Sequence, residues 1–395
     1  MQDNQLSTDA LSVQADVGNG GVFVSCKKNK SYNNLAFLNF LRFILAFSII
    51  LWHCPFGLAD DYEAHPVLWA IRVMTPYGGN QAFYLISGML FYLVYYPKLT
   101  DNTIKPTYFL KKRAIRVYPA VLVTILVSYI LSLVIHFNYN PDENINLIDL
   151  IKETVFFGSR LFGGEFGIYN GPVWFLTSLF VSYLISVFII VVTKKRQSVY
   201  WFLIPLFIFC LSGLGSNFIV PLFYVSCVAQ QCFTFFLGFF FMLFLTKFDK
   251  WKNIIKIPLR IFGLAVAVLF LFAYYKFKGN SPLGEGEMIG DIFCWIPLIT
   301  CLYGLKFNII FDNVVFKTFG AVSFHMFIWH VVVYKMWEVH FSLQHKPVYE
   351  GTLASLFIYL TLVMVVSVIS YCIFDLFINK YKPVSRLKKR LQNME

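Results

Sequence analysis

Stretches long and apolar enough to cross a bilayer recur along this chain, near 35–54, 79–97, 117–137, 172–193, 198–214, 221–246, 257–275, 287–305, 318–337 and 351–378. About 20 apolar residues match the hydrocarbon thickness, and inside it every backbone polar group must be satisfied within the protein, so such segments fold as helices. Composition agrees: 58% of the 395 residues are apolar and the mean hydropathy is +0.65, outside the range of a soluble domain. The expected fold class is an all-α, polytopic membrane protein, a bundle of about ten transmembrane helices. Residues 1–33 are polar and read as a disordered cytoplasmic tail, 34–380 as the transmembrane domain and 381–395 as a basic cytoplasmic tail. No small-residue cleavage site follows the first apolar run, which is expected to remain as a signal anchor.

The basic residues supply the orientation. Lys27, Lys28 and Lys30 precede the first span, and Lys98, Lys105, Lys111, Lys112, Arg113 and Arg116 follow the second. Later clusters are Lys194, Lys195 and Arg196, then Lys247, Lys250, Lys252, Lys256 and Arg260, then Lys306 and Lys317. A last group, Lys380 to Arg390, follows the final span, whereas Asp142, Glu143, Asp149, Glu285 and Glu287 fall in the alternate loops. The positive-inside rule then puts both termini in the cytoplasm. The formal net charge of +12 reports topology and contact with anionic membrane lipids, not a nucleic-acid partner. The chain is expected to be integral to the cell membrane, inner or plasma, with many passes.

Ionisable residues inside such spans are costly and mark function. The first span, LAFLNFLRFILAFSIILWHC, carries Arg42 and His53. Eleven helical steps of about 100° make three turns plus about 20°, so the two side chains share one face about 16 Å apart. One lies near each side of the bilayer, which suggests a site that spans it.

Four other features stand out. In GGNQAFYLISGMLFYLVYY the Ser87-Gly88 pair allows close approach by a helix or a ligand. In KKRAIRVYPA, Arg113 and Arg116 neighbour each other on a helix surface ahead of Pro119. Guanidinium forks suit bidentate phosphate binding, though a plain positive-inside cluster reads the same way. In GPVWFLTSLFVSYL, Pro172 and Trp174 open a span at its outer edge. In FGAVSFHMFIWHVVVYKMW, Ser323 and His330 are seven apart and share a face while His325 points elsewhere. A structural, hydrogen-bonded histidine is the competing reading there. The eight cysteines form no CxxC pair and read as packing residues, and the seven histidines show no ligand spacing, so no metal is expected.

Taken together, the R-x10-H of the first span, AFYLISGML, the R-x-x-R of RAIRVYP, VWFLTSLF and FGAVSFHMFIWH resemble, in this order, the acyltransferase-3 family of integral membrane O-acyltransferases. The resemblance covers roughly residues 33–384. It implies a ten-span acyltransferase domain that takes cytoplasmic acyl-CoA, with acetyl-CoA the expected donor. It further implies an acceptor hydroxyl on a cell-surface or lipid-linked carbohydrate at the outer face. Arg42, His53, Arg113 and Arg116 match the family's functional positions: His53 and Arg42 as catalytic candidates, Arg113 and Arg116 as candidates for holding the donor. Ser87, Trp174, Ser323 and His330 match its surrounding motifs as possible site-lining residues. Many members carry an acid in a W-S-x-S-x-E-x-x-F stretch, where this chain has Thr177, Ser178 and Leu179.

The chemistry fits the residues in its own right. A neutral imidazole at His53 can accept a proton from an attacking sugar hydroxyl, or carry the acyl group itself. The rival readings are a transporter or flippase of lipid-linked glycans, a glycan polymerase and a membrane sensor. Intramembrane charge also marks transport pathways, but no inverted repeat is visible. A polymerase is expected to need a large outer loop, and the longest candidate here, 138–171, is modest.

Overall fold

The computed structural model describes residues 35–54, 65, 67–69, 78–138, 145–156, 169–193, 203, 204, 207, 220–276, 287–305, 308–343 and 352–377. Every regular element among them is helical. They are α1 (Phe37–Trp52), α2 (Gly78–Leu90, continued by a π-helical stretch Phe91–Tyr95 and by Tyr96–Thr100), α3 (Pro106–Asn138), α4 (Leu147–Phe156) and α5 (Trp174–Val192). Then follow α6 (Val220–Phe248), α7 (Asn253–Lys276), α8 (Glu287–Leu302), α9 (Val314–Leu343) and α10 (Leu353–Tyr371, ending in a second π-helical stretch, Cys372–Phe377).

Six described segments are long and apolar enough to cross a membrane: Pro106–Phe137, Gly171–Val192, Val228–Phe248, Asn253–Phe270, Val314–His340 and Leu353–Asp375. Helix α1 is apolar but shorter. The expected span 198–214 lies almost wholly outside the described residues, as do the expected tails 1–33 and 381–395. α3 begins well before the expected 117 because it carries its arginines inside the helix. It also runs through Pro119 without a break, as membrane helices allow when neighbours satisfy the freed carbonyl.

Side-chain pairings give the helix directions. Phe40 meets Phe316, Phe43 meets Phe319 and His53 meets His330, so α1 and α9 run parallel. Asn170 ties Thr124 to the carbonyl of Ile328 and Lys335 bonds Ser132, so α3 runs with α9. α2, α5 and α6 also run together, since Tyr84 reaches Phe175 and Gln231 at one end while Phe91 meets Tyr183 and Phe235 further on. α10 is antiparallel to α9: Tyr359 bonds the His330 carbonyl and Ser370 bonds His325.

The tightest helix contact explains one sequence feature. A Cβ on Gly88 would overlap the Phe235 carbonyl, and one on Gly238 would overlap the Leu85 carbonyl. The Ser87-Gly88 pair therefore serves helix packing, letting the α2 and α6 backbones touch where the hydrophobic effect gives no help. Gly88→Ala is expected to cost about 1–3 kcal/mol or more through overpacking against backbone that cannot yield. It should lower the thermal midpoint in detergent by several degrees. Gly171→Ala, at a position where no described residue beyond its chain neighbours lies within 4 Å of the added carbon, should leave the midpoint in place.

Candidate functional site

The directions above sort the polar residues of the bundle into two groups at opposite ends. At one end, α1 supplies Arg42 and α3 supplies Arg113 and Arg116, one helical turn apart. All three guanidinium groups lie within electrostatic reach of one another and of Tyr183 on α5. Arg113 is held by aromatic faces, its guanidinium carbon 4.3 Å from the Tyr95 ring centre, 5.5 Å from Tyr183 and 5.8 Å from Phe109. Such stacking suits a planar, weakly hydrated cation and keeps it extended. Its Nε is buried without a hydrogen-bond partner among the described residues. Like charges repel strongly at low dielectric, so three cations gathered here favour a bound anion.

One carboxylate joins the cluster. Asp375, with its side chain only 5% exposed, stands 3.9 Å from Arg116 Nε. Its other oxygen is 3.2 Å from His325 Nε2, and His325 Nδ1 is 2.8 Å from the Ser370 hydroxyl. His325 and Ser370 are themselves buried. The two π-helical stretches of the described chain both end here: one presents Tyr95 and the other presents Asp375. Such stretches are rare and concentrate at functional sites.

At the far end of the bundle, His53 caps the C-terminus of α1 and is exposed. Its ring centre is 5.2 Å from that of His330, which is fully buried. His330 Nδ1 lies 2.7 Å from the Phe327 carbonyl. A carbonyl can only accept, so Nδ1 carries the proton and the neutral ring presents a lone pair at Nε2. That Nε2 is buried with no hydrogen-bond partner among the described residues. Around the pair, the Tyr359 hydroxyl donates to the His330 carbonyl at 3.1 Å and Phe327 packs against Phe175. The Asn170 side chain donates to the Thr124 hydroxyl at 2.8 Å and to the Ile328 carbonyl at 3.1 Å. Buried Glu153 in turn accepts the backbone N–H groups of Tyr169 and Asn170 at 2.8 and 2.7 Å. This fixes the turn Gly171–Val173 that starts α5.

A family model, the acyltransferase domain of the acyltransferase-3 group, matches residues 35–372, nearly the whole chain. The chain belongs to the acyltransferase-3 family. No curated protein and no solved structure matches it. The family match reaches from α1 to the end of α10, and so includes both histidines and all three arginines, while Asp375 falls three residues beyond it.

Within this acyltransferase-3 fold, Arg42, Arg113 and Arg116 come together, and His53 meets His330. Trp174 heads α5 at the histidine end and is part-buried. Ser87 is part-buried in the middle of α2, beside the Gly88 contact. Ser323 shares its helix with His330 but turns its hydroxyl onto the Gly320 carbonyl at 2.8 Å, closing the bond within α9. Helical spacing in the sequence does not single out Asp375, Ser370, Tyr95, Tyr183, Glu153 or Asn170. Asp375 alone had a visible signal, an acid inside the apolar run SYCIFDLF.

Proposed function

We propose that this acyltransferase-3 protein moves an acetyl group from cytoplasmic acetyl-CoA to a carbohydrate hydroxyl at the outer face of the cell membrane. The observation that carries this reading is the pairing of an arginine–aromatic cluster at one end of the bundle with two facing imidazoles at the other. In this reading Arg113 and Arg116 hold the phosphates of the donor and Arg42 adds charge at the same end. The long arm of the donor then runs between helices toward His53, about 16 Å along α1.

The acceptor oxygen attacks the thioester carbonyl while His53 takes its proton; the carbon–sulfur bond breaks and the thiolate leaves, recovering that proton from the imidazolium. His330 offers a second lone pair beside the first and keeps the ring of His53 in place. The acceptor is a cell-surface or lipid-linked glycan, whose hydroxyls outside the cell have no acyl-CoA of their own. Purified protein should transfer a labelled acetyl group from CoA to such a glycan, a result that neither a flippase nor a polymerase gives.

Ten spans with both termini cytoplasmic belong to the same reading. The basic-residue alternation supports it, and so does the shared direction of α5 and α6, two consecutive described spans. A cysteine at Lys112 should resist an impermeant thiol reagent in intact cells, and one at Asn146 should react. Labelling at Lys112 from outside overturns this topology.

A further inference from the structure

Asp375 makes a contact that the arginine cluster on its own does not call for. It forms an ion pair with Arg116 on the side of Nε, the inner nitrogen of the guanidinium, at 3.9 Å, longer than a hydrogen bond. An ion pair on that side does not occupy the end-on fork of the two terminal nitrogens. Its other oxygen is held by His325, and His325 is held by Ser370. The π-helical stretch makes this possible. In a continuous α-helix, Ser370 and Asp375 would project about 140° apart, five steps of about 100° less one turn. A π turn takes about one residue more, which brings both side chains to the one imidazole.

A buried carboxylate fixed from behind by a histidine and a serine orients its cation, and an oriented guanidinium loses less freedom when it binds an anion. We infer that Asp375 is a positioning residue that orients Arg116 through an ion pair on the side of its inner nitrogen, so that the terminal fork of Arg116 receives a phosphate group of a polyphosphate anion. The identity of that anion as acyl-CoA rests on the function proposed above. The assignment of Asp375 does not, because any phosphate ligand of this pocket would need the same orientation.

The test uses the full chain in detergent, with CoA and inorganic pyrophosphate as separate probes in calorimetry. Asp375→Asn should weaken CoA binding about tenfold, roughly 1.4 kcal/mol, and Asp375→Glu should recover part of it. In the transfer assay the same Asn variant should raise KM for the donor and leave kcat within about twofold, because no reacting atom is touched.

The decisive arm is the pair with Arg116. If Asp375 acts through Arg116, Arg116→Ala with Asp375→Asn should bind no worse than Arg116→Ala alone. Full additivity of the two losses, or wild-type affinity in Asp375→Asn, overturns the assignment. A lowered thermal midpoint with a fallen kcat and unchanged KM also overturns it, as a merely structural role. Wild-type protein that binds pyrophosphate but not CoA sinks the donor reading alone, and Asp375 is then judged on pyrophosphate. Wild-type protein that binds neither sinks both.

Discussion

His53→Ala is expected to lower the rate of acyl transfer by about 10²–10⁴, the usual worth of a positioned general base, while the protein stays folded and inserted. The separation of activity from stability follows from where the residue sits. His53 is the C-cap of α1 and exposed, so removing its ring opens no cavity in the core. CoA binding should be unchanged, because the arginine cluster lies at the opposite end. His330 gives a contrast. It is fully buried, bonded to the Phe327 carbonyl and packed beside Phe327. His330→Ala should therefore lose both activity and thermal stability. The measurement is the initial rate with labelled acetyl-CoA, read beside the thermal midpoint. A His53→Ala protein with wild-type rate would pass the base role to His330. Label that remains on wild-type protein without acceptor, and not on His53→Ala, would make His53 the acyl carrier.

The outline of this site was legible because charge inside an apolar run is visible one residue at a time. Arg42, His53 and His330 announce themselves so. Arg113 and Arg116 stand out as a basic pair one helical turn apart at the edge of a span, and the 3.6-residue period gives the shared stripe of Arg42 and His53 as an expectation. Two kinds of information were not legible. The first is phase. The π-helical stretches slip the helical period by about one residue per turn, so no count along the sequence puts Tyr95 beneath Arg113 or Asp375 beside His325. The second is the destination of a side chain. His325 does point away from His330, but only the packing of α10 shows that it points at Ser370 and Asp375. The hydroxyl of Ser323 is a related case. A hydroxyl inside a helix always has a carbonyl of its own turn within reach, and it took that of Gly320. Glu153 and Asn170 sit outside the spans, where no period applies, and their bonds to backbone decide their role.

The second large effect is expected at the arginine cluster, and it falls on affinity. If Arg113 and Arg116 hold the donor phosphates as proposed, Arg113→Ala with Arg116→Ala removes two charge-assisted contacts, each worth about 1.5–3 kcal/mol. Together they amount to about 3–6 kcal/mol, or roughly 10²–10⁴ in donor affinity. KM for acetyl-CoA should rise accordingly and kcat at saturation should fall much less. Arg113→Lys should recover only part, since lysine keeps the charge but neither stacks flat on Tyr95 nor offers a fork. Arg42 reports on the same pocket from another helix. Arg42→Gln should lose most donor affinity and Arg42→Lys should keep some, because Arg42 feels both Arg113 and Arg116 as charges. Moving the arginine one place, with Arg42→Leu and Phe43→Arg, is a harsher test than helix geometry alone implies. Phe43 stacks on Phe319 at 4.6 Å, so that variant also drives a charge between α1 and α9 and should fold poorly. The point substitutions are therefore the cleaner measurement. If donor affinity survives the double alanine change in well-folded protein, the three arginines only mark the membrane boundary, and the anion site must be sought elsewhere in the bundle.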